Sequence, residues 1–173
     1  MQDLTRELKN RLKGAKKIAL LGVGSEFRAD DAAGMLVAER VEKETRDKRQ
    51  ETSKKIPLKA FLGATAPENL TGEIIKFKPS HIIIVDTADI KQKPGTILLI
   101  ETKDLGEGVS FSTHKLPPKV MMDYFIRSLK CKIMVIGIQP KSIIFGKTVS
   151  KEVLSSVKEV SRAVMEASRR GAS

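Results

Sequence analysis

Ile82-Ile-Ile-Val85, four β-branched apolar residues followed at once by Asp86, constrain this chain more than any other segment. A run with no polar alternation needs cover on both faces, as a central strand of a parallel sheet has. Residues 81–89 are read as that strand. Residues 17–21 form a second buried run that ends in the turn Gly22-Val-Gly24. Residues 59–64 read as a third strand. Residues 96–101 read as a fourth, entered through a Pro94-Gly95 turn. Residues 132–140 carry a fifth, and Ser142-Ile-Ile-Phe-Gly146 a short sixth.

Helical patterns alternate with these strands. Leu4, Leu8 and Leu12 recur at i, i+4, i+8, and Gly14 is a plausible stop. A helix over about 32–44 has Asp30 or Asp31 as its natural N-cap. Pro67 suits the first turn of another, whose Ile74, Ile75 and Phe77 would face the core. Pro117 and Pro118 open a helix running to about residue 129. Ser150 caps a last one over 151–169, with Val153, Val157, Val160 and Val164 on one face. The alternation predicts an α/β fold: a three-layer sandwich, with a mostly parallel twisted sheet of five to six strands and helices on both faces. A length of 173 residues fits one domain over 1–173. Residues 42–55 have almost no apolar side chains, which predicts a solvated helix end and a charged, mobile loop at about 45–55.

The net charge of +11 raises nucleic acid as a partner. Against it, the basic residues are scattered, Trp is absent and aromatics are 4%, a poor supply of stacking platforms. No nucleic-acid partner is therefore expected. Charged residues at 31% resemble a thermophile's surface, and the excess could also steer an acidic protein partner. No apolar run approaches the ~20 residues of a membrane span. The N-terminus mixes charges and lacks the apolar core of a signal peptide. Cys131 is the only cysteine, so no internal disulfide framework exists. These features predict a cytoplasmic protein without membrane association, and a monomer is favoured over an oligomer.

In an open parallel sheet, ligands gather beyond the carboxyl ends of the strands. Asp31 follows the first strand and its glycine turn, Asp86 ends the central strand, and His114 lies in the loop before the Pro-Pro helix. Asp89 stands close to Asp86. Two carboxylates and one imidazole make a borderline ligand set that nickel tolerates. Three ligands leave positions open, which suits a metal that arrives attached to something else. Each residue also has a plainer role: Asp31 as a helix cap, Asp86 as an acceptor for loop amides, His114 as an ordinary loop histidine. His81 reads as structural or exposed, and Cys131 as an inert core thiol. The dinucleotide fingerprint fails because Phe27 occupies its third glycine position. Gly146-Lys147-Thr148 lacks the leading glycine of a phosphate loop, since Lys141 stands there. No HExxH, GxSxG or CxxC motif is present.

Five segments stand in a telling order: Leu21-Gly-Val-Gly-Ser-Glu-Phe-Arg-Ala-Asp-Asp-Ala-Ala-Gly34, Ala66-Pro-Glu-Asn69, Ile84-Val-Asp-Thr-Ala-Asp89, Ser112-Thr-His114 and Gly137-Ile-Gln-Pro140. Together they resemble the nickel–iron hydrogenase maturation endopeptidases, in the branch serving hydrogenase 3 (formate hydrogenlyase) type enzymes. The likeness spans most of the chain. It implies a peptidase that removes the C-terminal extension of the large-subunit precursor. It assigns Asp31, Asp86 and His114 as the catalytic and nickel-contacting residues, with Gly22, Gly24, Ser25, Asp30 and Asp89 supporting them. The nickel would come with the substrate, and no permanently bound cofactor is implied. Ser25 stands where that family usually has Asn. The alternative is a non-catalytic nickel- or nucleotide-binding α/β module.

Overall fold

The computed structural model describes residues 4–47, 55–100, 110–111 and 118–169. Helix α1 (Leu4–Arg11) leads into β1 (Ile18–Val23). A 3₁₀ turn (Ala29–Ala32) then opens directly into α2 (Ala33–Asp47). β2 (Leu58–Ala64), a second 3₁₀ turn (Pro67–Leu70), α3 (Thr71–Phe77) and β3 (His81–Asp89) follow. β4 (Ile97–Ile100), β5 (Ser110–Phe111), α4 (Pro118–Leu129), β6 (Lys132–Ile138) and α5 (Lys151–Ala167) complete the chain.

The sheet order is β2-β1-β3-β6-β4, with β5 attached to the far end of β3. The first four strands are parallel; β4 runs antiparallel to β6, and β5 antiparallel to β3. β3 pairs on both sides, and its first eight residues are buried. The expectation of a central strand covered on both faces therefore holds. Alternate residues feed two cores. Ile83 and Val85 join a cluster built with Leu8 and Leu12, Val37, Ala38 and Val41 of α2, and the buried valines of α5. Ile82 and Ile84 join the opposite cluster with Ile74 of α3 and Met121, Met122 and Phe125 of α4. Three helices cover one face and two the other.

Three expectations need correction. Residues 142–146 form no strand; the sixth strand is the two-residue β5. The backbone N–H of Ser142 donates to the Asp30 carboxylate and that of Gly146 to Phe27 O, so these donors have left any ladder. Asp86 does not end its strand, because β3 continues to Asp89 through pairing with β6 and β5. Neither Asp30 nor Asp31 is an N-cap. Both lie inside the 3₁₀ turn, whose cap position is Arg28. The charged stretch at 42–55 begins as helix through Asp47, and residues 48–54 of the loop lie outside the described residues. Among the described residues no helix is long and apolar enough to cross a membrane.

Candidate active site

The site forms where the chain reverses direction across the sheet: β1 feeds α2 toward β2 on one side, while β3 leads to β6 on the other. Two glycines let helix and sheet meet there. A methyl on Gly34 would come within 2.2 Å of the carbonyl oxygens of both Val23 and Val85. A methyl on Gly22 would come within 2.2 Å of Gly34 O. The start of α2 therefore rests on the seam between β1 and β3. Gly24, at φ +133°, takes a conformation open to glycine, and a methyl there would meet Asp31 O. Ala29 and Ala64 flank the turn at φ 48° and 46°, a left-handed backbone uncommon for alanine.

This packing buries Asp31 completely. Its Oδ2 accepts the Ser25 N–H at 3.0 Å. Ser25 thus supplies a main-chain donor, which does not depend on its side chain. Asp86 is 2% exposed and accepts the Thr87 N–H at 2.7 Å. The Thr87 hydroxyl donates to Asp30 O at 3.0 Å, tying the 3₁₀ turn to the strand that carries Asp86. Gly22 pairs with Val85 in register, so Asp86 lies one residue past the last β1–β3 pair. Asp31, in the turn after β1, and Asp86, three residues before the end of β3, stand toward the carboxyl ends of adjacent parallel strands. His114 lies outside the described residues; Phe111, three positions earlier, pairs with Ala88 of β3. Among the described residues no three His, Cys, Asp or Glu side chains gather as a metal site.

Asp30, also fully buried, has a separate task. Its carboxylate accepts from Lys141 N (2.7 Å), Ser142 N (3.1 Å), Ser150 N (2.6 Å) and the Ser150 hydroxyl (3.0 Å). It fastens the 140–150 loop over the end of the sheet. Asp89 points outward, pairs with Lys91 at 2.6 Å and is 40% exposed. Hydrogen bonds from Lys91 hold its carboxyl below the usual range.

Gln139 lies in the Gly137-Ile-Gln-Pro140 segment, where the sequence alone assigns it no site role. Its Oε1 accepts the N–H of Ile90 (2.8 Å) and of Gln92 (3.3 Å), and its Nε2 donates to Asp89 Oδ1 (3.4 Å) and Pro140 O (3.3 Å). A buried amide just past an apolar strand was the available signal.

Other reactive side chains lie elsewhere. His81 opens β3, five residues and roughly 16 Å along the strand from Asp86. It is buried, with Nδ1 3.1 Å from Ser80 Oγ. Cys131 precedes β6 at that same amino end and is buried, as expected of a core thiol. A groove lined by Lys9, Lys13, Lys16, Ile56, Glu166 and Arg169 also opens there and shares no residue with the site.

Residues 35–167 match the family model described as HycI, hydrogenase maturation protease. The chain belongs to the hydrogenase maturation protease family. A Methanocaldococcus jannaschii relative, whose name places it among the hydrogenase maturation proteases, is 30% identical over 159 residues, 92% of each chain. The hydrogenase 3 maturation protease of Escherichia coli K12 is 28% identical over 141 residues, 82% of this chain and 84% of that one. The crystal structure of the [NiFe] hydrogenase maturation protease HycI from Thermococcus kodakarensis superposes with a TM-score of 0.78 at 28% identity. That match covers 93% of this chain and 97% of the other. As in any maturation protease, the role is that of a processing endopeptidase acting on hydrogenase large-subunit precursors. The α/β sandwich expected from the sequence is the fold these proteases share.

Proposed function

We propose that this chain, in the cytoplasm, cuts the C-terminal extension from a nickel–iron hydrogenase large-subunit precursor that already carries nickel. Asp31, Asp86 and His114 are the groups that would contact that nickel. The supporting observation is the burial of Asp31, in the turn after β1, and of Asp86, near the carboxyl end of β3, in a member of this family. Carboxylates held at such a sheet edge are suited to a cation that arrives from outside. The nickel belongs to the substrate and leaves with the trimmed large subunit.

Hydrolysis then needs a water to attack the scissile carbonyl and a base to take its proton. Asp31 is the candidate base, held in place by the Ser25 N–H. The C–N bond breaks, and the proton passes to the departing amine. The nickel either polarises the reacting groups or serves as the handle that docks the precursor. Asp86→Asn separates these roles, since cleavage and precursor binding can be measured independently.

The direct test incubates the protein with precursor, with and without nickel, and follows mass. A shift confined to the loaded precursor is expected. Equal cleavage of nickel-free precursor, or unimpaired cleavage by Asp86→Asn, would overturn the reading. Tight stoichiometric nickel without precursor, or a copurifying nucleotide, would favour the non-catalytic binding module.

A further inference from the structure

Two loops beside the site carry three large apolar side chains into solvent. Phe27 is 68% exposed, Ile144 55% and Phe145 75%. The two rings lie 6.3 Å apart between centroids and inclined by 31°, so they form one surface. Loop tips in water are usually polar, and a contiguous apolar cluster at such a place marks a contact.

The loops beneath these side chains are fastened together. Gly146 N–H donates to Phe27 O at 2.8 Å, and the Arg28 side chain to Ile143 O at 3.3 Å. Asp30 N–H donates to Ser142 O at 3.0 Å, and the Asp30 carboxylate holds Lys141 and Ser142 from below. The surface is thus ordered before anything binds, which lowers the entropic cost of binding. It is also continuous with the site. Phe27 N–H donates to Ser25 Oγ at 3.4 Å, and Ser25 N–H holds Asp31.

We propose that Phe27, Ile144 and Phe145 form a platform for an apolar segment of the precursor protein, seated as the nickel centre reaches Asp31 and Asp86. This inference rests on the function proposed above. Size argues for a short segment over a second copy of this chain. Three such side chains offer on the order of 400 Å². A stable dimer needs about 800 Å² from each partner.

The test compares wild type, the double variant Phe27→Ser/Phe145→Ser and the conservative Phe27→Leu/Phe145→Leu on nickel-loaded precursor. Both pairs are at exposed positions, and thermal melting verifies their folding. The serine pair is expected to raise KM about tenfold with kcat nearly kept, and the leucine pair to recover most of the loss. If wild type cleaves the loaded precursor and the serine pair does so with unchanged kcat/KM, the platform is refuted while the function stands. If wild type leaves the loaded precursor intact, function and platform fall together. A wild-type dimer in sedimentation that the serine pair dissociates would assign the surface to a second copy and also refute the proposal.

Discussion

Asp30 and Ser150, 120 positions apart, are joined twice: the Ser150 N–H reaches Asp30 Oδ1 at 2.6 Å, and its hydroxyl reaches Oδ2 at 3.0 Å. The same hydroxyl accepts from Val153 N at 3.4 Å and so caps α5. One serine therefore links the turn after β1 to the last helix. Replacing Asp30 by Ala would strand the N–H groups of Lys141, Ser142 and Ser150. Each orphaned donor costs about 1–3 kcal/mol, so a loss of about 3 kcal/mol or more is expected in urea unfolding. Asp30→Asn should be nearly as harmful, because its amide nitrogen must face a donor. A loss below about 1 kcal/mol in the asparagine variant would contradict this role.

Gly34 sets how closely α2 approaches the sheet. Every near neighbour of an added methyl there is backbone: Val23 O and Val85 O at 2.2 Å, Val23 N at 2.7 Å. None can turn aside as a side chain would. Gly34→Ala should force helix and sheet apart, costing about 3 kcal/mol or more and roughly 10 °C in melting temperature. Gly72, where a methyl meets nothing within 4 Å, is the control: Gly72→Ala should melt near wild type. Equal melting of the two variants would show that the close approach is not limiting.

Cys131 should behave as core. Burial pushes its thiol up from the ordinary value, and its Sγ lies 3.8 Å from Phe125 O. A thiol kept protonated and covered reacts slowly. An aromatic disulfide reagent at pH 8 should label native protein far more slowly than unfolded protein. Cys131→Ala should leave precursor cleavage at wild-type rate. Rapid native labelling would mean that α4 opens readily over this cluster.

Much of this architecture is written locally. The run through Val85 identifies β3 because unbroken β-branched residues have few other uses, and the valine spacing of α5 marks its buried face. Strand direction is not written this way. β4 reads as apolar whether it runs parallel or antiparallel, and only its pairing with β6 decides. Residues 142–146 mislead for a related reason: they have the composition of a strand, while the acceptors for their N–H groups include a carboxylate 112 positions away. Asp31 is legible as an acid following a strand, and Asp86 as the acid that ends an apolar run. The distinct task of Asp30 was not, because its partners lie 111 to 120 residues along the chain. Gln139 was hidden likewise, since its contacts with Ile90 and Gln92 arise only after β3 and β6 pair.

His81 predicts a pH dependence of stability independent of the site. It is 4% exposed, and its Nε2 has no hydrogen-bond partner among the described residues. Burial, and secondarily the nearby Lys132 charge, lower its pKa below the ordinary 6.5. Below pH 6.5 the unfolded chain takes up a proton that the folded chain refuses, so unfolding is favoured as the solution is acidified. The contribution is complete above pH 6.5 and is lost progressively from there down to the lowered folded value. Its slope can reach about 1.4 kcal/mol per pH unit. His81→Phe removes the titrating group while keeping an aromatic ring at the start of β3. Urea unfolding from pH 7.5 to 5 should show wild type losing stability more steeply than the variant. Parallel curves would place the acid sensitivity in other groups and leave His81 a packing residue only.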